Sequence, residues 1–245
     1  MVDVVTQIES VQRGVETAER DGTPVRVQRL TQEYPASIDE VWDAVTSADR
    51  IPRWFLPVSG DLRLGGRYQL EGNAGGEVLE CAPPHGGEAS YRATWEFGGN
   101  VTWLTVRLTA DAAERTRLEL EHVAPVSDVS DEMWERFGPA ATGIGWDSGL
   151  LGLALHVGAA VDGPTPEEGM AWMMSDEGRL FSRRSSEAWA QAHVADGADP
   201  EVASRAAAAT AAMYAARPRT TPDPQSHRVG RTGADAGSPA VEGDT

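Results

Sequence analysis

Four runs of alternating polar and apolar residues between positions 76 and 124 constrain the fold of this chain most strongly. A period of two places successive side chains on opposite faces of an extended strand. Short breaks of turn-forming residues separate the runs, as is typical of hairpins. The pattern therefore predicts a meander of antiparallel strands with one apolar face, formed by GEVLECA (76–82), ASYRATWEF (89–97), VTWLTVRLT (101–109) and TRLELEHVA (116–124).

Two segments upstream extend the predicted sheet. VRVQRLTQEY (25–34) has the composition of a strand and ends at Pro35, which disfavours helix in the residue before it. Residues 61–70 alternate again, and Gly65-Gly66 predicts a tight turn between the two halves of a hairpin. We therefore expect about six to seven antiparallel strands in all.

Helical patterns flank the strands on both sides. Ser37, followed three residues later by Glu40, forms a capping box and predicts the start of a helix. A second short helix is expected from Ser47 onward, and Pro52 should bound or kink it. Residues 138–161 are apolar around most of a helical circumference and predict one long helix.

Glycines interrupt this long helical segment at positions 143, 145, 149 and 152. Each costs about 1 kcal/mol relative to alanine in a helix, so we expect the helix to approach a sheet or a ligand closely. The element order predicts an α+β fold in which a curved antiparallel sheet wraps around the long C-terminal helix. The enclosed space is either a filled core or a ligand cavity.

The remaining segments suggest four parts of the chain. Residues 1–24 are polar, with scattered apolar residues that fit one or two helical turns, and form an N-terminal extension. Residues 25–161 form the main domain, and residues 162–216 form further helices packed on it. Residues 217–245 are rich in proline and glycine with few large apolar residues, so we expect a disordered tail.

The formal charge of −17 arises from 38 acidic and 21 basic residues, and every basic residue is arginine. A Schiff-base lysine and a phosphate-loop lysine are therefore excluded. So acidic a chain is repelled by phosphate backbones and anionic membranes, so we expect no nucleic-acid partner. No apolar run approaches the ~20 residues of a membrane span, and residues 1–22 contain no apolar block, so we expect no membrane insertion and no secretory signal. We expect a cytoplasmic protein, with the single Cys81 as a buried, inert thiol.

Seven short motifs carry a resemblance to a known family. They are SIDEVWDA (37–44), RWF (53–55), DLRLGGRY (61–68), CAPP (81–84), TWE (94–96), TRLELEH (116–122) and GW (145–146). Across residues 25–160 the chain resembles the SRPBCC superfamily of START-like, helix-grip proteins, and within it the branch named for the activator of the heat-shock-protein ATPase. The resemblance implies a helix-grip fold with an apolar cavity between the sheet and the long helix, but no particular reaction.

Aromatic residues and one histidine are the candidates for a cavity lining. Trp54 and Phe55 lie between Pro52 and Pro57, which should hold the two rings in a fixed pose at the cavity rim, facing Trp146. Packing in a corner or core is the alternative for each tryptophan. The full set of candidates is Trp54, Phe55, Tyr68, Trp95, Trp103, His122, Trp146 and Leu150.

His122 is the one candidate for catalysis. It continues the face of Thr116, Leu118 and Leu120, so strand alternation directs it inward or toward the end of the sheet. It is either a hydrogen-bonded core residue or a general acid or base, with Asp147 as a conceivable partner that no periodicity places beside it. We find no ligand cluster for a metal and no nucleophile-elbow motif, and we expect no cofactor.

Three functions remain open from the sequence. The first is a soluble binding module for a small apolar or aromatic ligand. The second is a cyclase- or dehydratase-like enzyme that uses His122. The third is a co-chaperone-like or regulatory module with a protein partner and a filled core in place of a cavity.

Overall fold

The computed structural model describes residues 3–159 and 166–216, and eight strands among them form one antiparallel sheet. The order across the sheet is first, second, eighth, seventh, sixth, fifth, fourth and third strand. The meander predicted for residues 76–124 is confirmed as strands β5 to β8, and the predicted first strand is confirmed as β2. The strands are β1 (Gln12–Arg20), β2 (Thr23–Tyr34), β3 (Val58–Gly60), β4 (Arg67–Leu70), β5 (Gly75–His85), β6 (Glu88–Phe97), β7 (Asn100–Ala112) and β8 (Arg115–Pro125).

Helices precede, interrupt and follow the sheet. They are α1 (Val4–Glu9), α2 (Ile38–Thr46), α3 (Asp131–Phe137), α4 (Ala140–Ala159), α5 (Pro166–Met173), α6 (Asp176–Ala195) and α7 (Pro200–Ala216), with 3₁₀ turns at Ile51–Arg53 and Val126–Asp128. The predicted long helix is α4, and the predicted extra C-terminal helices are α5 to α7. The α+β helix-grip arrangement is thus confirmed. The tail expected to be disordered, residues 217–245, lies outside the described residues.

The sheet has one more strand than expected because residues 12–20 are extended. The one or two helical turns predicted within residues 1–24 correspond to α1, but no strand was predicted there. β1 pairs with β2 from Gln12 opposite Thr31 to Arg20 opposite Thr23. Asp21 and Gly22 both have positive φ in the turn between them, as a two-residue hairpin of this kind requires. The Asp-Gly pair was the missed signal.

The hairpin expected within residues 61–70 is also displaced. The strand that pairs with β4 is β3, which ends at Gly60 with a φ of 100°. The Asp61 carboxylate then accepts a hydrogen bond from the Arg63 backbone N–H at 3.0 Å, which turns the chain out of the sheet. Gly65-Gly66 therefore belongs to a longer loop.

The helices before the sheet follow the sequence closely. The Ser37 hydroxyl accepts a hydrogen bond from the Glu40 backbone N–H at 3.3 Å, so the predicted cap of α2 is confirmed. The second short helix is only a 3₁₀ turn, Ile51–Arg53, with Pro52 inside its first turn. Its shortness follows from the proline, which lacks the N–H that a continuing helix needs.

Hydrogen bonds from β2 hold α4 against the inner face of the sheet. The buried Gln28 amide donates to the Pro139 carbonyl at 2.7 Å and accepts from the Thr142 hydroxyl at 2.6 Å. Further along, the Tyr34 hydroxyl donates to the Leu150 carbonyl at 3.3 Å. Within the described residues, no helix is both long and apolar enough to cross a membrane.

A buried ion pair joins α4 to both ends of the described chain. Asp147 on α4 and Arg13 on β1 meet at 2.9 Å, with side chains 1% and 4% exposed. The Ser185 hydroxyl and the Trp189 indole N–H, both on α6, donate to the same carboxylate. Burial raises the pKa of Asp147, and the Arg13 guanidinium and the two α6 donors oppose that rise. Three elements that are distant in sequence therefore share one carboxylate.

We predict that Asp147→Asn strongly destabilises the protein. The substitution leaves the Arg13 charge buried without its anion, and breaking a buried pair in this way costs about 3–5 kcal/mol. Urea unfolding at pH 7 measures the loss. Glu119→Gln, which removes a half-exposed ion pair with Arg107, is the control and should cost no more than about 1 kcal/mol. Equal effects of the two substitutions would contradict the assignment.

Candidate functional site

A pocket of about 130 Å³ lies between α4 and the inner face of the sheet. Alternate residues of β6, β7 and β8 form its floor, as the period of two requires. Residues 45 to 58, from the end of α2 through the 3₁₀ turn to β3, form one side of it. The inner-face residues of the floor are Tyr91, Ala93, Trp95, Leu104, Val106, Leu118 and Leu120, and α4 contributes Trp146, Gly149, Leu150 and Leu153.

Trp54 and Phe55 lie at this side of the pocket, as the sequence analysis proposed for the rim. Their rings stack with centroids 5.5 Å apart. The Trp54 indole N–H donates to the Ala44 carbonyl at 2.8 Å, so this ring also fastens the segment to α2. A methyl group at Gly152 would overlap the Trp54 carbonyl oxygen. The glycine therefore lets α4 lie directly against this segment.

A second aromatic group surrounds Trp146. The Trp146 ring lies 5.0 Å from the Trp95 ring and 5.2 Å from the His122 ring, between centroids, in edge or tilted contact. Such contacts add stabilisation beyond simple burial and fix the ring in one orientation. Trp146 is 9% exposed, and its indole nitrogen has no hydrogen-bond partner among the described residues.

The lining is apolar and carries no ionised side chain at neutral pH. Among the described residues, the lining includes no aspartate, glutamate, arginine or histidine. Burial raises the pKa of both Tyr68 and Tyr91 well above the ordinary value of 10, so both phenols are neutral. The Tyr68 hydroxyl donates to the Thr94 carbonyl at 2.7 Å. The pocket therefore suits an uncharged molecule.

His122 lies beside the pocket rather than in its lining. Its ring packs on Trp146, and its Nε2 is 2.8 Å from the Thr102 hydroxyl. Burial lowers the pKa of His122 to about 4, so the imidazole is neutral at pH 7. Asp147 is not its partner, because that carboxylate binds Arg13, Ser185 and Trp189 on the other side of α4.

Two expectations from the sequence require correction. Trp103 lies on the outer face of the sheet, because its register partner is Val123 while the inner-face His122 pairs with Leu104. It is therefore not part of the pocket. Cys81 is exposed rather than buried, and it lies at the mouth of the pocket on β5. A register shift between Val78 and Glu80 interrupts the alternation of β5 just before Cys81.

The other candidates are brought together. Trp54, Phe55, Tyr68, Trp95, Trp146 and Leu150 all contact the same pocket. Ala93 and Val106 also line the pocket, although neither was among the predicted candidates. Strand alternation places both on the inner face, but the sequence gives no sign of which inner residues border a void. Within the described ranges, no group of three or more potential ligands could hold a metal ion.

Comparisons with known proteins agree with this architecture. The family model described as "Activator of Hsp90 ATPase homolog 1-like protein" matches residues 35–157, which is 123 of the 245 residues. CalU16 from Micromonospora echinospora is 30% identical in its crystal structure, which aligns with 75% of this chain and 98% of CalU16 at a TM-score of 0.56. Its solution structure gives 30% identity, 76% and 97% coverage, and a TM-score of 0.59.

A more distant structure shares the fold alone. EF2215 from Enterococcus faecalis is 12% identical, over 75% of this chain and 93% of its own, at a TM-score of 0.50. No curated protein matches this sequence. The 75% coverage by CalU16 exceeds the half of the chain matched by the family model. Elements outside residues 35–157 therefore have counterparts in CalU16.

We predict opposite effects of the same substitution at two glycines of α4. Gly145 faces open space, so Gly145→Ala should stabilise the protein by up to about 1 kcal/mol through helix propensity. Gly152→Ala should destabilise it by about 1–2 kcal/mol, because the methyl group meets the Trp54 backbone and overpacking outweighs propensity. Chemical denaturation compares them. A stabilising Gly152→Ala would show that the Trp54 segment does not pack on α4.

We also predict a pH dependence that originates at His122. In the unfolded chain His122 has the ordinary pKa of 6.5, whereas in the folded protein its pKa is about 4. Between these values protons favour the unfolded state, so stability falls as the pH falls. When the pH is lowered from 7.5 to 5, the free energy of unfolding should fall by about 2 kcal/mol more in wild type than in His122→Gln. Urea unfolding at each pH measures this, with exposed His85→Gln as the control. Parallel curves for wild type and His122→Gln would refute a buried neutral imidazole.

Proposed function

The chain belongs to the family of activator of Hsp90 ATPase homolog 1-like proteins, and for this member we propose a binding function. The proposed ligand is a small, uncharged apolar or aromatic molecule, held between α4 and the inner face of the sheet. The observation that carries the proposal is the pocket itself, which measures about 130 Å³ and is lined mainly by apolar and aromatic side chains.

The volume fits a ligand of about one aromatic ring. An apolar cavity of about 150 Å³ in another protein stays dry and binds benzene. Drug-sized ligands need pockets of roughly 300–1,000 Å³, so this pocket would enclose only part of such a molecule. Its walls are fixed in advance, because hydrogen bonds hold the Trp54 segment on α2 and hold α4 on β2. A preformed site loses little entropy on binding.

The enzyme alternative gains no support from the site. A general acid or base must reach the reacting group and hold a proton that it can exchange near neutral pH. His122 packs behind Trp146, is bound to Thr102, and has a pKa of about 4. We therefore propose binding without catalysis by His122.

A protein-binding role is the second candidate, because the family description names the activator of an ATPase. A module of that kind does not need an open pocket. Binding of a small apolar probe therefore distinguishes the two functions.

We predict that fluorobenzene binds the protein saturably and that filling the pocket abolishes this binding. Ala93 is buried at the pocket floor, so Ala93→Leu should fill part of the void and weaken binding tenfold or more. Fluorine NMR titration measures the affinity, and thermal unfolding checks that each variant is folded. Thr105→Leu places the same side chain on the outer face of neighbouring β7 and should bind like wild type. Failure of wild type to bind, or unchanged binding by folded Ala93→Leu, would overturn the proposal.

A further inference from the structure

The hydroxyl of Tyr91 differs from those of the other three tyrosines, because it has no hydrogen-bond partner among the described residues. The hydroxyls of Tyr34, Tyr68 and Tyr214 donate to backbone carbonyls at 3.3, 2.7 and 3.0 Å. The Tyr91 oxygen is also not one of the fully shielded atoms that lack a partner, so part of its surface is open. An unbonded polar group in the wall of an apolar pocket favours a ligand that bonds to it.

The position of Tyr91 in the sheet directs its phenol toward the pocket. Its neighbours across the sheet, Cys81 on β5 and Val106 on β7, line the pocket as Tyr91 itself does. Trp42 of α2 packs on the Tyr91 ring in edge contact, with the centroids 6.3 Å apart. A side chain on a strand stands roughly perpendicular to the sheet, so the hydroxyl is the part of Tyr91 that projects farthest from the pocket floor.

Tyr68 supplies a second phenol with a different hydrogen-bonding capacity. Its proton is donated to the Thr94 carbonyl, so the Tyr68 oxygen can only accept a further hydrogen bond. Burial raises the pKa of Tyr91, and the nearby phenol of Tyr68 raises it further. The two phenols therefore lie close together in the lining, one with a free donor and the other with an acceptor.

We propose that the ligand of the pocket is a neutral phenol, whose hydroxyl accepts a hydrogen bond from Tyr91 and donates one to Tyr68. A hydroxyl complements both tyrosines, whereas a carbonyl or ether oxygen can only accept. The ligand must be neutral, because the described lining includes no cation that would compensate a phenolate. The inference rests on the proposed binding function and names its ligand class.

The test compares phenol with toluene, which carries a methyl group of similar size on the same ring, by calorimetric titration at pH 7. The affinity ratio of phenol to toluene should fall about three- to tenfold in Tyr91→Phe, which keeps the ring and removes the hydroxyl. Tyr214→Phe, the same change on α7 and outside the pocket lining, should keep the wild-type ratio. Thermal unfolding checks that each variant is folded.

Benzaldehyde separates the roles of the two tyrosines, because its oxygen can only accept a hydrogen bond. The affinity ratio of benzaldehyde to toluene should fall in Tyr91→Phe but not in Tyr68→Phe, since the Tyr68 proton is already donated to Thr94. The ratio of phenol to toluene should fall in both variants. A phenol ratio that is unchanged in Tyr68→Phe would overturn the preference for a phenol over a carbonyl ligand.

The remaining outcomes distinguish this inference from the proposed function. Failure of both toluene and phenol to bind wild type would overturn the proposed function itself. Binding of toluene alone, or an unchanged phenol ratio in folded Tyr91→Phe, would overturn the inference and leave the function standing. If Tyr91→Phe does not fold, wild type labelled with ¹³C at the tyrosine Cζ atoms decides. Two of its four signals should move farther with phenol than with toluene, and equal movement would overturn the inference.

Discussion

The buried carboxylate of Asp147 is the constraint on which the rest of the structure depends. Only 1% of the Asp147 side chain is exposed, so its carboxylate stays ionised only if protein groups replace the water that would hydrate it. Arg13 supplies the opposite charge, while Ser185 and Trp189 supply further donors. These partners come from β1 and α6, far apart in sequence. The need to satisfy one carboxylate therefore ties the first strand and the C-terminal helices to the central helix.

This constraint also shapes the pocket. The hydrogen bonds that hold α4 on the sheet start from Arg13, Gln28 and Tyr34, all on β1 and β2. On the side of β4 to β7, the helix faces apolar and aromatic side chains instead. Hydrogen bonds fix the position of α4 on the side of β1 and β2, so side-chain packing on the side of β4 to β7 need not be complete. The pocket lies where packing is left incomplete.

Local patterns predicted much of this fold and less of the site. Alternation and the Ser37 cap gave the central strands, the first helices and the long helix. The glycines of that helix indicated a close approach, and the structure shows it for Gly152 against Trp54 and for Gly143 against Trp189. β1 was missed because its stability comes from pairing with β2 and from Asp147, which residues 12–20 do not reveal. Trp103 was misplaced because it was chosen as an aromatic residue, although Leu104, Val106 and Leu108 mark the opposite face of β7 as the apolar one.

The one-sided attachment of α4 to the sheet has a kinetic consequence. Because hydrogen bonds attach α4 to β1 and β2, the opposite edge of the sheet is free to move relative to the helix. β3 has only three residues, Val58–Gly60, and pairs with β4 over that short length. Entry of the proposed ligand should therefore need only a local opening between this edge of the sheet and the Trp54 segment, with the Asp147 ion pair intact. We expect exchange of a ligand to be fast compared with global unfolding, because the two processes break different bonds.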